Sequence, residues 1–163
     1  MPITFNADEI FEMAEEIERN GAKFYSQASE KAPTDDMKKF FNNMANMEEH
    51  HLKIFEQMRQ ELSSEEKGQT VYDPNDESAQ YLQTMAEGHG YEGRISPTQD
   101  LTGSESMKEV IEIALNAEKD SVVFYYGLKS LVPEKAGRDK IEKIILEELS
   151  HITTLLKYLK DVN

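Results

Sequence analysis

Two short stretches that lie one hundred residues apart decide the fold, namely Glu48-Glu49-His50-His51 and Glu148-Leu149-Ser150-His151. Each contains a Glu-x-x-His pair, and residues three apart lie on the same face of an α-helix. Thirty residues before each pair stands a further glutamate, Glu18 in the first half and Glu118 in the second. The repeat therefore offers four carboxylates and two imidazoles, and this combination indicates a metal site.

A proline divides each half of the repeat into two equal arms. Pro33 lies fifteen residues from both Glu18 and Glu48, and Pro133 has the same position in the second half. At about 1.5 Å of rise per residue, each arm of a helical hairpin runs ~22 Å from the turn to its ligand. We therefore expect both arms to carry their ligands at one height. The ungapped repeat predicts two equivalent hairpins packed face to face.

Capping signals and apolar residues at helical spacing predict the first two helices. Asn6 with Glu9 resembles a capping box at the start of the first helix, which we expect to end at Ala32-Pro33. Thr34 suits the start of the second helix, which should continue to about Leu62, because its hydroxyl can accept from a free backbone amide.

The second half of the chain carries the corresponding signals. Ser106 with Glu109 predicts a capping box, with Ser104 as an alternative cap, for a third helix that ends at about Leu131. Pro133 suits the first turn of the fourth helix, because proline lacks the amide hydrogen that is unpaired there in any case.

A long connection rich in glycine and proline separates the two hairpins. It covers residues 63–103 and should contain a short helix near 75–87. Such a length is unusual between antiparallel neighbours and fits a crossover along a bundle. The sequence thus predicts one all-α domain over residues 1–163, a four-helix bundle with hairpins at 7–62 and 104–162.

Composition narrows the possible partners. The chain has 18 basic and 32 acidic residues, a net charge of −14, which argues against nucleic acid or an anionic membrane as partner. It has no cysteine, so it can form no disulfide and no rubredoxin-type iron centre within itself. A secretory signal and an apolar run of about 20 residues are both lacking, so cytoplasmic residence is the expectation.

All of the candidate ligand glutamates stand among apolar neighbours in the sequence. Burying an unpaired carboxylate costs several kcal/mol, so four of them on inward faces need compensating cations. The alternative is that the glutamates are solvated and the histidines are satisfied core or surface residues. We expect the two remaining histidines, His50 and His89, to be surface groups. The candidate metal ligands are Glu18, Glu48, His51, Glu118, Glu148 and His151.

The donor types favour iron or manganese, with zinc as a substitute, because hard oxygen donors dominate and thiolates are absent. We expect two metal ions bridged by two of the glutamates. One assignment makes Glu48 bridging with Glu18 and His51 terminal, but the repeat alone leaves the bridging and terminal roles open.

This layout on a helical bundle resembles the rubrerythrin and ferritin-like di-iron carboxylate proteins. Residues 18–25 and 48–55 look like the first and second helices of a rubrerythrin, and residues 118–125 and 148–151 look like the third and fourth. The resemblance implies a ferritin-like fold and a non-haem di-iron centre that reacts with hydrogen peroxide or dioxygen.

Two departures from that family affect the expected function. Rubrerythrins proper carry a C-terminal rubredoxin-like module, whereas this chain stops after its fourth helix, so we expect an external electron-transfer protein as reductant. They also hold an extra glutamate near the third-helix ligand, where Leu115, Ser121 and Val122 flank Glu118 here. Glu15, one turn before Glu18, could be a spare carboxylate for the site, but we expect it to be an exposed helix residue.

Three further expectations complete the hypothesis. Tyr25 and Tyr125 follow Glu18 and Glu118 by two turns and could hydrogen-bond a ligand carboxylate or relay single electrons, with core packing as the alternative.

The functional alternatives to a di-iron oxidoreductase are a ferroxidase or iron-handling protein and a non-catalytic, metal-stabilised binding module. Because the hairpins are equivalent and the connector is long, we expect a homodimer, with hairpin exchange as one form of it.

Overall fold

The first hairpin consists of two long helices, α1 (Ala7–Lys31) and α2 (Asp35–Glu61). The structure, a computed structural model, describes residues 7–64, 101–132 and 134–162. Thr34 caps α2 as expected, because its hydroxyl accepts from the backbone N–H of Met37 at 3.2 Å. The proposed cap at Asn6 lies outside the described residues.

The second hairpin consists of α3 (Met107–Leu131) and α4 (Arg138–Asp161). The capping box of α3 is confirmed, with Ser106 as the cap: its hydroxyl accepts from the backbone N–H of Glu109 at 3.2 Å. In return, the Glu109 carboxylate accepts from the backbone N–H of Ser106 at 2.7 Å.

The start of α4 differs from the sequence prediction. The helix begins at Arg138 rather than in a first turn at Pro133, which itself lies outside the described residues. A short 3-10 helix, Glu134–Ala136, precedes it, and Gly137 follows with a φ of 101°. A left-handed residue interrupts the helical path, and glycine adopts that conformation without a steric penalty, so the regular helix starts only after it.

The four helices form the predicted all-α, ferritin-like bundle. Apolar side chains from the beginning of α1 and the end of α2 pack with the end of α3 and the beginning of α4, and this cluster includes Phe11, Phe55, Phe124 and Ile141. The turns of the two hairpins therefore lie at opposite ends of the bundle, as the long connector requires. The short helix expected near residues 75–87 lies outside the described residues.

A second apolar cluster fills the other end of the bundle, with Phe24, Phe41, Ile111 and Leu155 among its members. Between the two clusters lie the buried polar side chains of the candidate metal site. Within the described ranges, no helix combines the length and the apolar composition needed to cross a membrane. The domain boundaries at residues 63 and 103 stay predictions.

Candidate metal centre

The bundle brings all six predicted ligands into its interior, between the two apolar clusters. Each of the four helices contributes: α1 and α3 supply one glutamate each, and α2 and α4 supply one Glu-x-x-His pair each. The three-residue spacing places each histidine one helical turn after its glutamate. All six side chains are buried, and the most exposed of them, His151, is 8% exposed.

The six side chains form two overlapping groups, each with ligand atoms that lie within 4.8 Å of one another. One group contains Glu18 and His51, the other contains Glu118 and His151, and both contain Glu48 and Glu148. The sequence left the bridging and terminal roles open. The structure favours Glu48 and Glu148 as the shared carboxylates, with one glutamate and one histidine belonging to each group alone.

Glu148 has the geometry of a bridge. Its Oε1 atom lies 2.9 Å from Nδ1 of His51, and its Oε2 atom lies 3.1 Å from Nδ1 of His151. The two imidazole rings are nearly parallel, with centroids 6.2 Å apart and an interplanar angle of 27°. One carboxylate thus presents one oxygen to each histidine, as a ligand shared between two cations requires.

The other carboxylates surround the same two nitrogen atoms. Glu18 Oε2 lies 3.4 Å from Nδ1 of His51. Nδ1 of His151 lies 3.5 Å from Glu48 Oε1 and 3.6 Å from Glu118 Oε2. Both histidines therefore direct the same ring nitrogen at the carboxylate cluster.

Unsatisfied atoms at the centre show that the cluster fits cations. Four buried atoms in the described part of the chain have close neighbours but no partner in hydrogen-bonding geometry: Glu18 Oε2, Glu48 Oε1, His51 Nδ1 and Glu148 Oε1. All four belong to the six predicted ligands. Buried polar atoms without partners cost free energy, and metal ions coordinated by these electron-pair donors would remove that cost.

The metal-free cluster retains protons. Burial raises the pKa values of Glu48 and Glu118 well above the ordinary range, and repulsion from Glu148 adds to the effect. Burial lowers the pKa values of the histidines, but the neighbouring carboxylates outweigh it and raise them to about 11 for His51 and about 10 for His151. Mutual repulsion among buried carboxylates is thus relieved either by protons or by cations.

Two tyrosines link each hairpin to the terminal carboxylate of the other hairpin. The Tyr25 hydroxyl donates to Oε1 of Glu118, and the Tyr125 hydroxyl donates to Oε1 of Glu18. Both rings are buried in the apolar clusters, so each tyrosine packs in the core and also orients a candidate ligand. Burial raises both phenol pKa values, and the nearby carboxylates add to that increase, so the phenols stay protonated donors.

Replacing Tyr125 with phenylalanine should destabilise the metal-free protein by about 1–3 kcal/mol, because the buried Glu18 carboxylate loses its donor. Urea unfolding in a chelator measures this change. The matched control is Tyr126→Phe on the next residue, whose side chain is 66% exposed and whose loss of a hydroxyl should change little. Equal effects of the two substitutions would contradict the assigned role of Tyr125.

Gly21 makes room for one of the shared carboxylates. A Cβ atom at this position would lie 2.9 Å from Oε2 of Glu48, closer than non-bonded atoms pack. The corresponding residue of the second hairpin is Ser121, whose hydroxyl donates to the backbone carbonyl of Ala117 at 3.0 Å. The repeat is therefore asymmetric where α1 and α3 approach the shared carboxylates.

Replacing Gly21 with alanine should move the Glu48 carboxylate and weaken metal binding roughly 10-fold, an effect typical of disturbed ligand orientation. The metal-free helix should instead gain about 0.5–1 kcal/mol, because alanine forms helices better than glycine. Metal titration and thermal unfolding measure the two opposite changes. Ser121→Ala is the control, and an unchanged metal affinity in Gly21→Ala would rule out the steric role.

Two predictions about other charged residues have different outcomes. The expectation that Glu15 is exposed was wrong: it is 8% exposed and accepts from the Arg59 guanidinium at 3.1 Å. Arg59 also donates to both oxygens of Asp8, at 2.9 and 3.0 Å, so it links the end of α2 to the beginning of α1. His50 is exposed, as expected, and His89 lies outside the described residues.

Sequence reasoning missed Glu147, which contacts a candidate ligand directly. Its Oε2 atom lies 2.8 Å from Nε2 of His51, on the side of the ring away from the carboxylate cluster. The sequence held one indication of a difference between the two halves. The repeat aligns Glu147 with Met47, so only the second half has a glutamate at this position. That difference became meaningful only when α2 and α4 were seen side by side.

The fold and the buried carboxylate–histidine cluster place this chain in the class of ferritin-like carboxylate proteins. The family model for rubrerythrin matches residues 9–159, and the chain belongs to the rubrerythrin family. Among solved structures, it is similar to a crystal structure from Thermotoga maritima described as a ferritin-like diiron-carboxylate protein. The two chains are 26% identical, each is covered over 100% of its length, and the TM-score is 0.72. No curated protein sequence matches this chain.

Proposed function

We propose that this protein is a non-haem di-iron oxidoreductase that reacts with hydrogen peroxide or dioxygen and is re-reduced by an external electron-transfer protein. The observation that carries the proposal is the pair of overlapping ligand groups that share Glu48 and Glu148. These residues would hold two metal ions side by side, and iron bound there would supply one-electron redox chemistry. Membership of the rubrerythrin family and the similarity to the diiron-carboxylate protein of Thermotoga maritima support iron as the metal.

Two ferrous ions would together supply the two electrons that, with two protons, convert one peroxide molecule to two water molecules. The protein's contribution is to fix the geometry of the site and to control access to it. The shared carboxylates would set the distance between the ions, and Tyr25 and Tyr125 hold the terminal carboxylates in place. The apolar clusters on both sides limit the access of water, which strengthens every charge interaction inside.

The test is anaerobic loading with ferrous iron, followed by the addition of peroxide or dioxygen. Mössbauer spectra should show two ferrous ions per chain before the oxidant and an oxidised, magnetically coupled pair after it. Absorbance should show oxidation much faster than for free ferrous iron under the same conditions. Iron binding well below two per chain, or oxidation no faster than in free solution, would overturn the proposal.

A matched variant separates site chemistry from adventitious iron. Glu148→Gln keeps the size of the side chain but removes the charge of a shared ligand, so it should lose the fast oxidation. Glu49→Gln removes one charge from an exposed position of α2 and should retain it. Equal rates in the two variants would assign the oxidation to iron bound elsewhere.

The oligomeric state and the reductant are further parts of this proposal. We propose a homodimer, and light scattering coupled to size-exclusion chromatography tests it: a monomer at micromolar concentration would contradict it. A shell of many subunits that accumulates an iron core would instead favour the iron-handling alternative. Reduction of the oxidised site by a purified electron-transfer protein tests the proposed external donor.

A further inference from the structure

Glu147 distinguishes the two histidines of the site. Its carboxylate accepts a hydrogen bond from Nε2 of His51 across 2.8 Å. A carboxylate oxygen at this distance accepts from the ring, so a proton lies on Nε2 and Nδ1 is the nitrogen left to bind a cation. His51 is fully buried, whereas the Glu147 side chain is 26% exposed, so the contact connects the site to the surface of α4.

The second histidine has no such partner. The hundred-residue repeat relates His51 to His151 and Glu147 to Met47. A thioether is only a weak acceptor, so Met47 cannot replace a carboxylate. Among the residues that the structure describes, none forms a hydrogen bond with Nε2 of His151, whose bond to Glu148 uses Nδ1.

We infer that Glu147 is a positioning residue that makes the two metal positions unequal: the position of His51 and Glu18 binds a divalent cation more tightly than that of His151 and Glu118. The inference rests on the proposed metal site. A carboxylate that accepts from the far nitrogen of a ligand histidine fixes the tautomer and ring orientation and makes the near nitrogen a stronger donor. Only one of the two positions has this support.

The neighbouring cation does not cancel the effect. Lys143 lies on the same helix, with its Nζ 4.0 Å from Oε1 of Glu147, and its side chain is 72% exposed. An ion pair of this kind is screened by water and is worth little. The bond to His51 uses the other oxygen, Oε2, at a shorter distance. The ion pair and the bond to His51 thus use different oxygens of Glu147.

The experiment measures Zn²⁺ affinity at each position separately, by competition with a chromophoric chelator. His151→Ala leaves the His51 position, and His51→Ala leaves the His151 position. We expect the first variant to bind Zn²⁺ more tightly. Adding Glu147→Ala should weaken binding by roughly 10- to 100-fold in the His151→Ala background, the usual cost of losing such a partner, and by less than about 3-fold in the other.

Two further variants separate orientation from charge. Glu112→Ala removes one carboxylate from an exposed position of α3 and should change neither affinity. Glu147→Gln loses the charge but keeps an oxygen that can accept from Nε2, so it should recover part of the affinity that Glu147→Ala loses. Without such recovery, the effect comes from charge alone and the positioning role is overturned.

Proton NMR of the Zn²⁺-loaded protein, labelled with ¹⁵N-histidine, gives a readout that is independent of affinity. The wild type should show a slowly exchanging, downfield Nε2–H resonance of His51, which His51→Ala and Glu147→Ala should both abolish. Its persistence in Glu147→Ala would overturn the inference, because another group would then hold the ring.

The outcomes separate this inference from the proposed function. If wild-type protein binds no Zn²⁺ and no Fe²⁺ although it is folded by circular dichroism, the metal site itself fails. If both single-histidine variants bind and Glu147→Ala weakens them equally, only the inequality fails. If only the wild type binds, Glu147→Ala must weaken one of its two binding steps, and equal weakening of both steps overturns the inference.

Discussion

Replacing Glu148 with alanine should remove both metal ions, whereas replacing His51 with alanine should leave one. Glu148 presents one oxygen to each histidine, at 2.9 and 3.1 Å, so both ligand groups lose a member together. His51 belongs to one group alone. Metal analysis after anaerobic loading and desalting measures the bound ions per chain. We expect a loss of at least 10-fold in affinity at each position that loses a ligand.

The control for this comparison is Glu49→Ala, which removes an exposed carboxylate beside Glu48 and should retain both ions. Alanine is the best helix former, so the backbone of α4 should tolerate the substitution at Glu148. A Glu148→Ala protein that still binds one ion, as His51→Ala should, would show that Glu148 is a terminal ligand. The shared role would then fall to Glu48 alone.

The metal-free protein should lose stability as the pH rises from 7 to 9. The pKa values of His51 and His151 are raised from 6.5 to about 11 and about 10, so their stabilisation is complete below pH 6.5 and is lost as the pH approaches the folded values. The raised pKa values of Glu48 and Glu118 act in the same direction. Each extra proton bound by the folded state contributes a slope of about −1.4 kcal/mol per pH unit.

Urea unfolding in a chelator at several pH values measures this slope. The metal-loaded protein should show the opposite trend, because cations replace the protons and bind better to deprotonated ligands. Stability of the metal-free protein that is constant or rises between pH 7 and pH 9 would contradict the predicted proton uptake.

The variant Glu48→Gln tests the cause of this slope. Glutamine resembles the protonated carboxyl and carries no charge to desolvate, so the metal-free variant should be more stable than the wild type at pH 8, by about 1–3 kcal/mol. Its slope with pH should be shallower, and added metal should stabilise it much less. Glu49→Gln serves as the control, since that carboxylate is exposed. A site that costs stability when empty is typical of residues kept for function.

The wrong prediction for Glu15 shows how helix packing can change the environment of a residue. Its position in α1, one turn before Glu18, is compatible with burial, but the cation that balances its charge, Arg59, lies 44 residues away at the end of α2. Neither residue by itself indicates the ion pair. The predicted start of α4 was also wrong. Pro133 suits a helix start by its local chemistry, but Gly137 adopts the left-handed conformation, so the regular helix begins only at Arg138.

The sequence alone determined the four helices, the two hairpins and the identity of the six converging side chains, because helical periodicity and a constant spacing from each turn are local properties of the chain. Only the tertiary structure decided which carboxylates belong to both ligand groups, that each tyrosine reaches the opposite hairpin, and that Glu147 contacts His51. These relations depend on the distance between helices that are remote in sequence. That distance is set by how the side chains of the whole bundle pack together.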